Sequence, residues 1–255
     1  MKRLQLLAAL IAVATWLLMP SCGSNSEKDS ALQPPETTQT ADQQEAVIAE
    51  DEAEENEAEE NEGKDGKTNS NAKMATVDNL VSAFKGESTA SAKYAAYAKK
   101  AKEEGFTQIA ILFKAASASE KIHAANHKAV LDEMGETTPE IKPEFVVKTT
   151  MENLDDAITG ESYEITTMYP EFIATATSAA NELAETSMKY ALKTEKKHMV
   201  LYERAKAALQ DNQLKSLSMQ YYVCPTCGNT YDTNAPKRCR ISMTSSDKFI
   251  SINAI

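Results

Sequence analysis

From Met74 onward, apolar residues recur at three- and four-residue steps, the period of amphipathic helices. Leu80, Phe84, Glu87, Ser91, Tyr94 and Ala98 mark a first stripe, which Gly105 closes as a C-cap. A second starts at Thr107, a candidate N-cap, and carries Ile109, Phe113, Ala116, Glu120, His123, His127, Val130 and Met134 before Gly135. The short turn between them predicts an antiparallel pair. A Pro-bearing connection, 135 to 148, leads to Thr149-x-x-Glu152, a capping-box signature. The third helix carries Leu154, Ile158, Glu161, Ile165, Met168 and Phe172, with Glu164 one turn from Glu161, and Pro170 should distort it. The fourth, from about Glu182 to Leu209, carries Ala184, Met188, Ala191, Glu195, His198, Tyr202 and Ala205.

The halves resemble each other. Gly86-Glu87-Ser88 recurs as Gly160-Glu161-Ser162 after 74 residues, and Glu120-x-x-His123 recurs as Glu195-x-x-His198 after 75. A duplicated helix pair predicts an all-α four-helix bundle over residues 74–212 with one long crossover.

Ahead of the bundle the texture differs. Lys2 and Arg3 precede an apolar run, Leu4 to Met19, too short for a comfortable span and ending at Pro20-Ser21-Cys22-Gly23. This predicts a signal peptide, residues 1–21, and resembles a relaxed bacterial lipobox in which Cys22 is lipidated. The chain is therefore expected to be an exported lipoprotein, held to a membrane by its lipid anchor alone. Residues 23–73 hold 15 acids against 4 Lys and no aromatic residue, predicting a disordered acidic linker over 22–73; a helical rod through its Glu/Ala stretch is the alternative. That segment accounts for most of the net charge of −11. Residues 74–255 are near neutral, with 23 acids and 21 bases, and lack the dense basic face that nucleic-acid binding needs.

Glu87, Glu120, Glu161 and Glu195 occupy stripe positions assigned to the core, where an unpaired carboxylate costs several kcal/mol. No Lys or Arg shares those stripes, and two of the three histidines stand three residues after a Glu. Glu-x-x-His puts both side chains on one helix face, within reach of one ion or two adjacent ions. One Glu from each of two helices plus Glu-x-x-His from each of the others is the pattern of ferritin-like dinuclear bundles. With Glu164, five carboxylates and two imidazoles suit iron or manganese better than zinc. His127 has no such partner and reads as a core histidine or one supporting a ligand.

With Gly160-Glu161-x-x-Glu164, Met168-Tyr169-Pro170 and a Cys-rich tail, these residues resemble the rubrerythrins. The resemblance covers residues 74 to 255. It implies a non-haem peroxidase with two iron ions, reducing hydrogen peroxide to water with electrons from an unidentified donor. Carried over by position, Glu87, Glu120, Glu161 and Glu195 hold or bridge the irons. His198 ligates one, Glu164 and His123 are alternative ligands of the other, and Tyr94 and Tyr169 hydrogen-bond near the site. It also implies a homodimer with one chain's tail near the other's bundle.

The tail, 219–255, resembles a rubredoxin-like metal knuckle: Cys224-Pro225-Thr226-Cys227-Gly228, then Cys239. The second knuckle departs from the pattern, because Ser242 stands where a fourth thiolate is needed. Three readings stay open: a site holding iron or zinc through three thiolates and Ser242, a Cys224–Cys227 disulfide, and an empty knuckle. Two functions follow, a peroxide reductase protecting the cell envelope, or an iron-binding and iron-oxidising lipoprotein without efficient turnover.

Overall fold

The computed structural model describes residues 58–232 and 234–255. Cys22, the signal segment and the tether as far as residue 57 lie outside the described residues. No helix among the described residues is long and apolar enough to cross a membrane.

Helix α1 spans Ala58–Glu103, α2 Thr107–Glu133, α3 Thr150–Tyr163, α4 Tyr169–Ser178 and α5 Glu182–Gln210. Between α3 and α4, Glu164–Met168 form a π-helical turn, so these three pieces make one rod. Four rods result, matching the predicted four-helix bundle. Two local expectations are corrected and a third is met. Helix α1 starts at Ala58, inside the stretch expected to be disordered, because its Ala, Glu and Lys are strong helix formers. Thr107 is not the N-cap. Gly105, at φ +86°, turns the chain so that Phe106 donates to the Ala101 carbonyl and offers its own carbonyl to Ala110, leaving Thr107 inside the helix. The distortion expected at Pro170 is present and local. Pro170 sits at the start of α4, where its missing N–H is harmless, and the distortion falls before it as the wide turn.

The capping box forms as expected, with Thr149 and Glu152 exchanging bonds, and Glu104 accepts from the Thr150 N–H at 2.9 Å. Asn181 caps α5 through Ala184 N–H.

Two apolar clusters fill the interior. One contains Tyr94, Tyr97, Phe113, Leu154 and Tyr202; the other contains Leu80, Leu131, Tyr169 and Met188. Along α2 and α5 the buried carboxylates and imidazoles lie between these clusters. The tail is a small antiparallel sheet of order β2-β1-β3, with β1 Tyr221–Val223, β2 Thr230–Tyr231 and β3 Ile250–Ile252. Tyr221 and Val223 join the first apolar cluster, so the tail packs on the bundle of its own chain. Within the single chain described, the tail thus meets the bundle to which it is joined.

Candidate metal centre

Each rod delivers one buried carboxylate to the layer: Glu87 from α1, Glu120 from α2, Glu161 from α3 and Glu195 from α5, all at most 2 % exposed. His123 and His198 follow one turn after Glu120 and Glu195 and are fully buried. The donors fall into two groups of four, Glu87, Glu120, His123 and Glu195, and Glu120, Glu161, Glu195 and His198. Within each, ligand atoms lie within 4.8 Å of one another.

Glu120 and Glu195 belong to both groups and send one oxygen to each. Nδ1 of His123 lies 3.0 Å from Glu120 Oε2 and 2.8 Å from Glu195 Oε1, while Nδ1 of His198 lies 3.2 Å from Glu120 Oε1 and 2.8 Å from Glu195 Oε2. This is the arrangement of two carboxylates bridging two adjacent cations. Both oxygens of Glu120, one each of Glu87, Glu161 and Glu195, and His123 Nδ1 are buried without a hydrogen-bond partner. Buried orphans of this kind are costly, and their convergence on two common points supplies the reason for them. The donor set therefore fits two adjacent divalent ions with a preference for oxygen.

The second imidazole nitrogens are held by the tail. His123 Nε2 lies 3.1 Å from the Cys227 carbonyl, which can only accept, so Nε2 carries the hydrogen and Nδ1 is left to face the carboxylates. His198 Nε2 meets Thr230 Oγ1 at 3.0 Å.

Charge in the cation-free layer is shared unevenly. Burial pushes Glu87 up to about 7 against the pull of His123, and burial with Glu195 beside it raises Glu161 well above the usual range. Burial is outweighed at Glu195, where His123 and His198 hold the carboxyl low. Carboxylates likewise outweigh burial at the imidazoles: His123 is held well above its ordinary value and His198 at about 9. Protons thus occupy the place that cations would take.

Glu164 stands apart. It belongs to neither four-donor group, lies on the π turn and is half-buried, and burial together with Glu87 raises its pKa well above normal. Tyr94 Oη donates to Glu161 Oε1 at 3.0 Å, and Tyr169 Oη donates to Glu87 Oε1. Burial raises both phenols well above their usual range, keeping them protonated.

Cys224, Cys227 and Cys239 form a third buried donor group and are free thiols. Cys227 Sγ lies 3.4 Å from Cys239 Sγ, and Ser242 Oγ lies 3.2 Å from Cys224 Sγ. The two knuckles match despite their sequences. Gly228 donates to the Cys224 carbonyl at 2.9 Å with φ +78°; Met243 donates to the Cys239 carbonyl at 3.0 Å with φ +62°. Met243 keeps the left-handed turn that glycine makes easily, at a cost of about 1–2 kcal/mol, and this places Ser242 in the fourth donor position.

The rubrerythrin family model matches residues 78–206, about half of the chain, and those residues carry all six clustered donors. The chain belongs to the rubrerythrin family. Among curated relatives, it is 36% identical to rubrerythrin-2 of Clostridium acetobutylicum, over 68% of this chain and 95% of that protein. It is 34% identical to nigerythrin of Nitratidesulfovibrio vulgaris, over 69% and 85%. The all-ferrous, fully reduced structure of nigerythrin superposes with a TM-score of 0.62 at 32% identity, covering 69% of this chain and 86% of that one. A Desulfovibrio desulfuricans bacterioferritin, at 17% identity, TM-score 0.53 and coverage of 58% and 89%, shares the fold.

The structure also brings to the site Tyr202, which the periodicity placed on an apolar stripe, and two residues that it did not single out, Ser119 and Thr194. The Tyr202 hydroxyl is buried without a partner, and its phenol is held protonated by burial and by Glu161 nearby. Its position one turn after His198 was a usable signal. Ser119 donates to the Gly228 carbonyl at 2.8 Å and Thr194 to the Cys227 carbonyl at 3.1 Å, so each half of the bundle holds the knuckle by one hydroxyl. Nothing in the local sequence marks either.

Proposed function

We propose that this chain is a di-iron peroxide reductase, with Glu87, Glu120, Glu161, Glu195, His123 and His198 as iron ligands and Glu164 as an alternative ligand opposite His123. Membership of the rubrerythrin family supports the peroxide-reducing reading that the sequence resemblance implies, and the all-ferrous state described for the similar nigerythrin supports iron as the metal. The observation that carries the reading is the pair of four-donor groups sharing Glu120 and Glu195, lined by partnerless carboxylate oxygens. When bound there, two ferrous ions would supply one electron each, which together with two protons from solvent reduces one hydrogen peroxide to two waters.

The chain's residues supply the rest. Tyr94 and Tyr169 hold protons at the edges of the site, one aimed at each terminal carboxylate. Apolar clusters above and below exclude bulk water, which strengthens every interaction between the donors. The Cys227 carbonyl fixes the His123 tautomer that leaves Nδ1 free. Cys224, Cys227, Cys239 and Ser242 would hold one iron or zinc, and return of electrons is assigned to the tail in its iron form, since zinc would carry none. Ser242 Oγ beside Cys224 favours a second reading for the steady state, an iron-oxidising protein with slow turnover. The working protein is proposed as an exported, Cys22-lipidated homodimer at the cell envelope, served by an external electron donor.

Metal analysis of protein purified without oxygen should find two irons per bundle, and mixing with peroxide should consume about one peroxide per reduced site. A bundle that refuses iron, or holds it and leaves peroxide untouched, overturns the reading. Mass spectrometry of the mature N-terminus tests the lipid, and a product starting elsewhere than Cys22 removes the anchor.

A further inference from the structure

Four aromatic rings, Tyr94, Tyr97, Phe113 and Tyr202, pack together beside Glu161. Tyr94 and Tyr97 have centroids 6.1 Å apart, Phe113 lies 5.4 Å from Tyr97, and Tyr202 lies 5.6 Å from Tyr94. Tyr94 is tied to the metal centre through its 3.0 Å bond to Glu161. Tyr97 faces the other way. Its ring is 2 % exposed, yet its hydroxyl donates to Asp156 Oδ2 at 2.9 Å, and the Asp156 side chain is 52% exposed. Lys93 Nζ holds the same oxygen at 2.7 Å. A cavity of about 390 Å³, lined by Tyr97, Asp156, Lys93, Thr89 and Phe145, opens at this point.

One-electron oxidation turns a phenol into a strong acid, so a tyrosine gives up an electron readily only if its proton has somewhere to go. In this cluster the requirement separates the rings. Phe113 has no proton to lose, and Tyr202 has no acceptor. Tyr94 donates to Glu161, a carboxylate of the metal-binding layer. Tyr97 alone in the cluster donates to a carboxylate outside the donor groups and open to water.

We propose that the Tyr97–Asp156 pair is a built-in one-electron donor, oxidised through Tyr94 when peroxide meets a dinuclear site that holds one reducing equivalent instead of two. This rests on the peroxide-reducing reading above. Hydrogen peroxide takes one electron from the site, one from Tyr97 and two protons from solvent, and its O–O bond breaks to give two waters. Tyr97 passes its electron inward along the rings and its phenolic proton outward to Asp156 Oδ2, leaving a neutral tyrosyl radical under the surface cavity. The strong oxidant is thereby moved away from the ligands it would damage.

The test uses the full iron-loaded chain, reduced by one electron per site, mixed with one equivalent of hydrogen peroxide and frozen for electron paramagnetic resonance, with residual peroxide measured in the same sample. The wild type is expected to show a tyrosyl radical. The signal should be lost in Tyr97→Phe, fall several-fold in Asp156→Asn and persist in Tyr163→Phe. An undiminished signal in Tyr97→Phe, or peroxide consumed with no radical, overturns the proposal. Unconsumed peroxide overturns this proposal, whereas the peroxide-reducing reading falls only if the fully reduced site also leaves peroxide untouched. A zinc-substituted chain oxidised by a photoexcited ruthenium complex tests the pair without peroxide: the Tyr97 radical should form more slowly in Asp156→Asn, and equal rates overturn the role of Asp156.

Discussion

The hydroxyl oxygen of Tyr169 lies 3.1 Å from Nε2 of His127 and accepts a hydrogen bond from it. The direction follows from the neighbours. Tyr169 gives its one hydroxyl hydrogen to Glu87, so its oxygen is left to accept from His127. The imidazole is neutral, since burial and the charge on His123 push it down to about 3, so its Nδ1 accepts from Ser187 Oγ at 2.8 Å. Ser187, His127, Tyr169 and Glu87 thus form one directed chain of bonds ending at a metal-binding carboxylate.

Cutting that chain should show in stability and rate together. His127→Leu removes the donor to Tyr169 and the acceptor of Ser187, and the unmade bonds should cost about 1–3 kcal/mol. Thermal unfolding measures this loss. The first reaction with peroxide should also slow in stopped-flow, because Tyr169 no longer holds its proton in one direction. An unchanged melting temperature and rate would mean the chain of bonds is incidental.

The shared carboxylates make a distinct prediction from the terminal ones. Glu120→Ala and Glu195→Ala each withdraw an oxygen from both donor groups and should lower the content of both metals, whereas Glu161→Ala touches only the group containing His198. Quantitative metal analysis should therefore find near-empty bundles in the first two and roughly half-filled ones in the third. Second-sphere losses of about 10–100-fold in affinity are the scale for supporting groups, so direct ligand removal should exceed it.

Stability of the metal-free protein should depend on pH in one direction across the neutral range. Glu87 is raised from 4.5 to about 7 and His198 from 6.5 to about 9. Both bind protons more tightly folded than unfolded, so their contribution is complete below pH 4.5 and 6.5 respectively and is lost as pH rises through about 7 and about 9. Glu195, held low, has the opposite sign, but its contribution is lost only below pH 4.5. The melting temperature of the metal-free form should fall between pH 5 and 9, and metal loading should flatten the profile as cations replace the protons. A flat profile without metal would contradict the charge distribution described.

Gly228 leaves no room for a side chain between the tail and the bundle. A Cβ built there would lie 2.4 Å from His123 Nε2 and 2.7 Å from Ser119 Oγ, and the residue already has φ +78°. Gly228→Ala should displace the Cys227 carbonyl from His123 and destabilise the fold by at least about 1–2 kcal/mol for the backbone alone. Chemical denaturation measures the energy, and slowed electron return to the bundle measures the contact.

Ser242→Cys should act in the opposite sense. A fourth thiolate in a knuckle whose backbone is already formed should tighten metal binding and speed multiple turnovers with a reduced rubredoxin-like donor, leaving the first peroxide reaction unchanged. Steady-state and single-turnover kinetics separate the two. No change in either would make Ser242 an adequate ligand.

The helices and their buried carboxylates were legible because each Glu interrupts an apolar stripe, and such an interruption is visible in a single sequence. His127 was placed in the core correctly, but its partners Ser187 and Tyr169 come from α5 and α4, and no local pattern joins them. Phe106 took the cap from Thr107 because the glycine turn before it set the entry. Ser119 and Thr194 look like ordinary small helix residues until the tail's carbonyls arrive. The second knuckle appeared incomplete at Ser242, yet Met243 adopts the glycine conformation, a decision made by the loop as a whole.

The π turn at Glu164–Met168 has a further meaning in the history of the molecule. Glu87 and Glu161 are 74 residues apart, but Tyr94 and Tyr169 are 75 apart, as are Glu120 and Glu195, and His123 and His198. The two copies of the ancestral helix pair therefore differ by one inserted residue, and it falls between Glu161 and Tyr169, where the helix widens. A one-residue insertion in an ordinary α-helix rotates everything beyond it by about 100°. The wide turn absorbs that rotation, so Tyr169 still faces Glu87 as Tyr94 faces Glu161. Glu164 lies in that wide turn, and Ala90, its counterpart 74 residues earlier, offers no carboxylate. The repeat is thereby left unequal, with a carboxylate in the wide turn of one half and a methyl group at the matching place in the other.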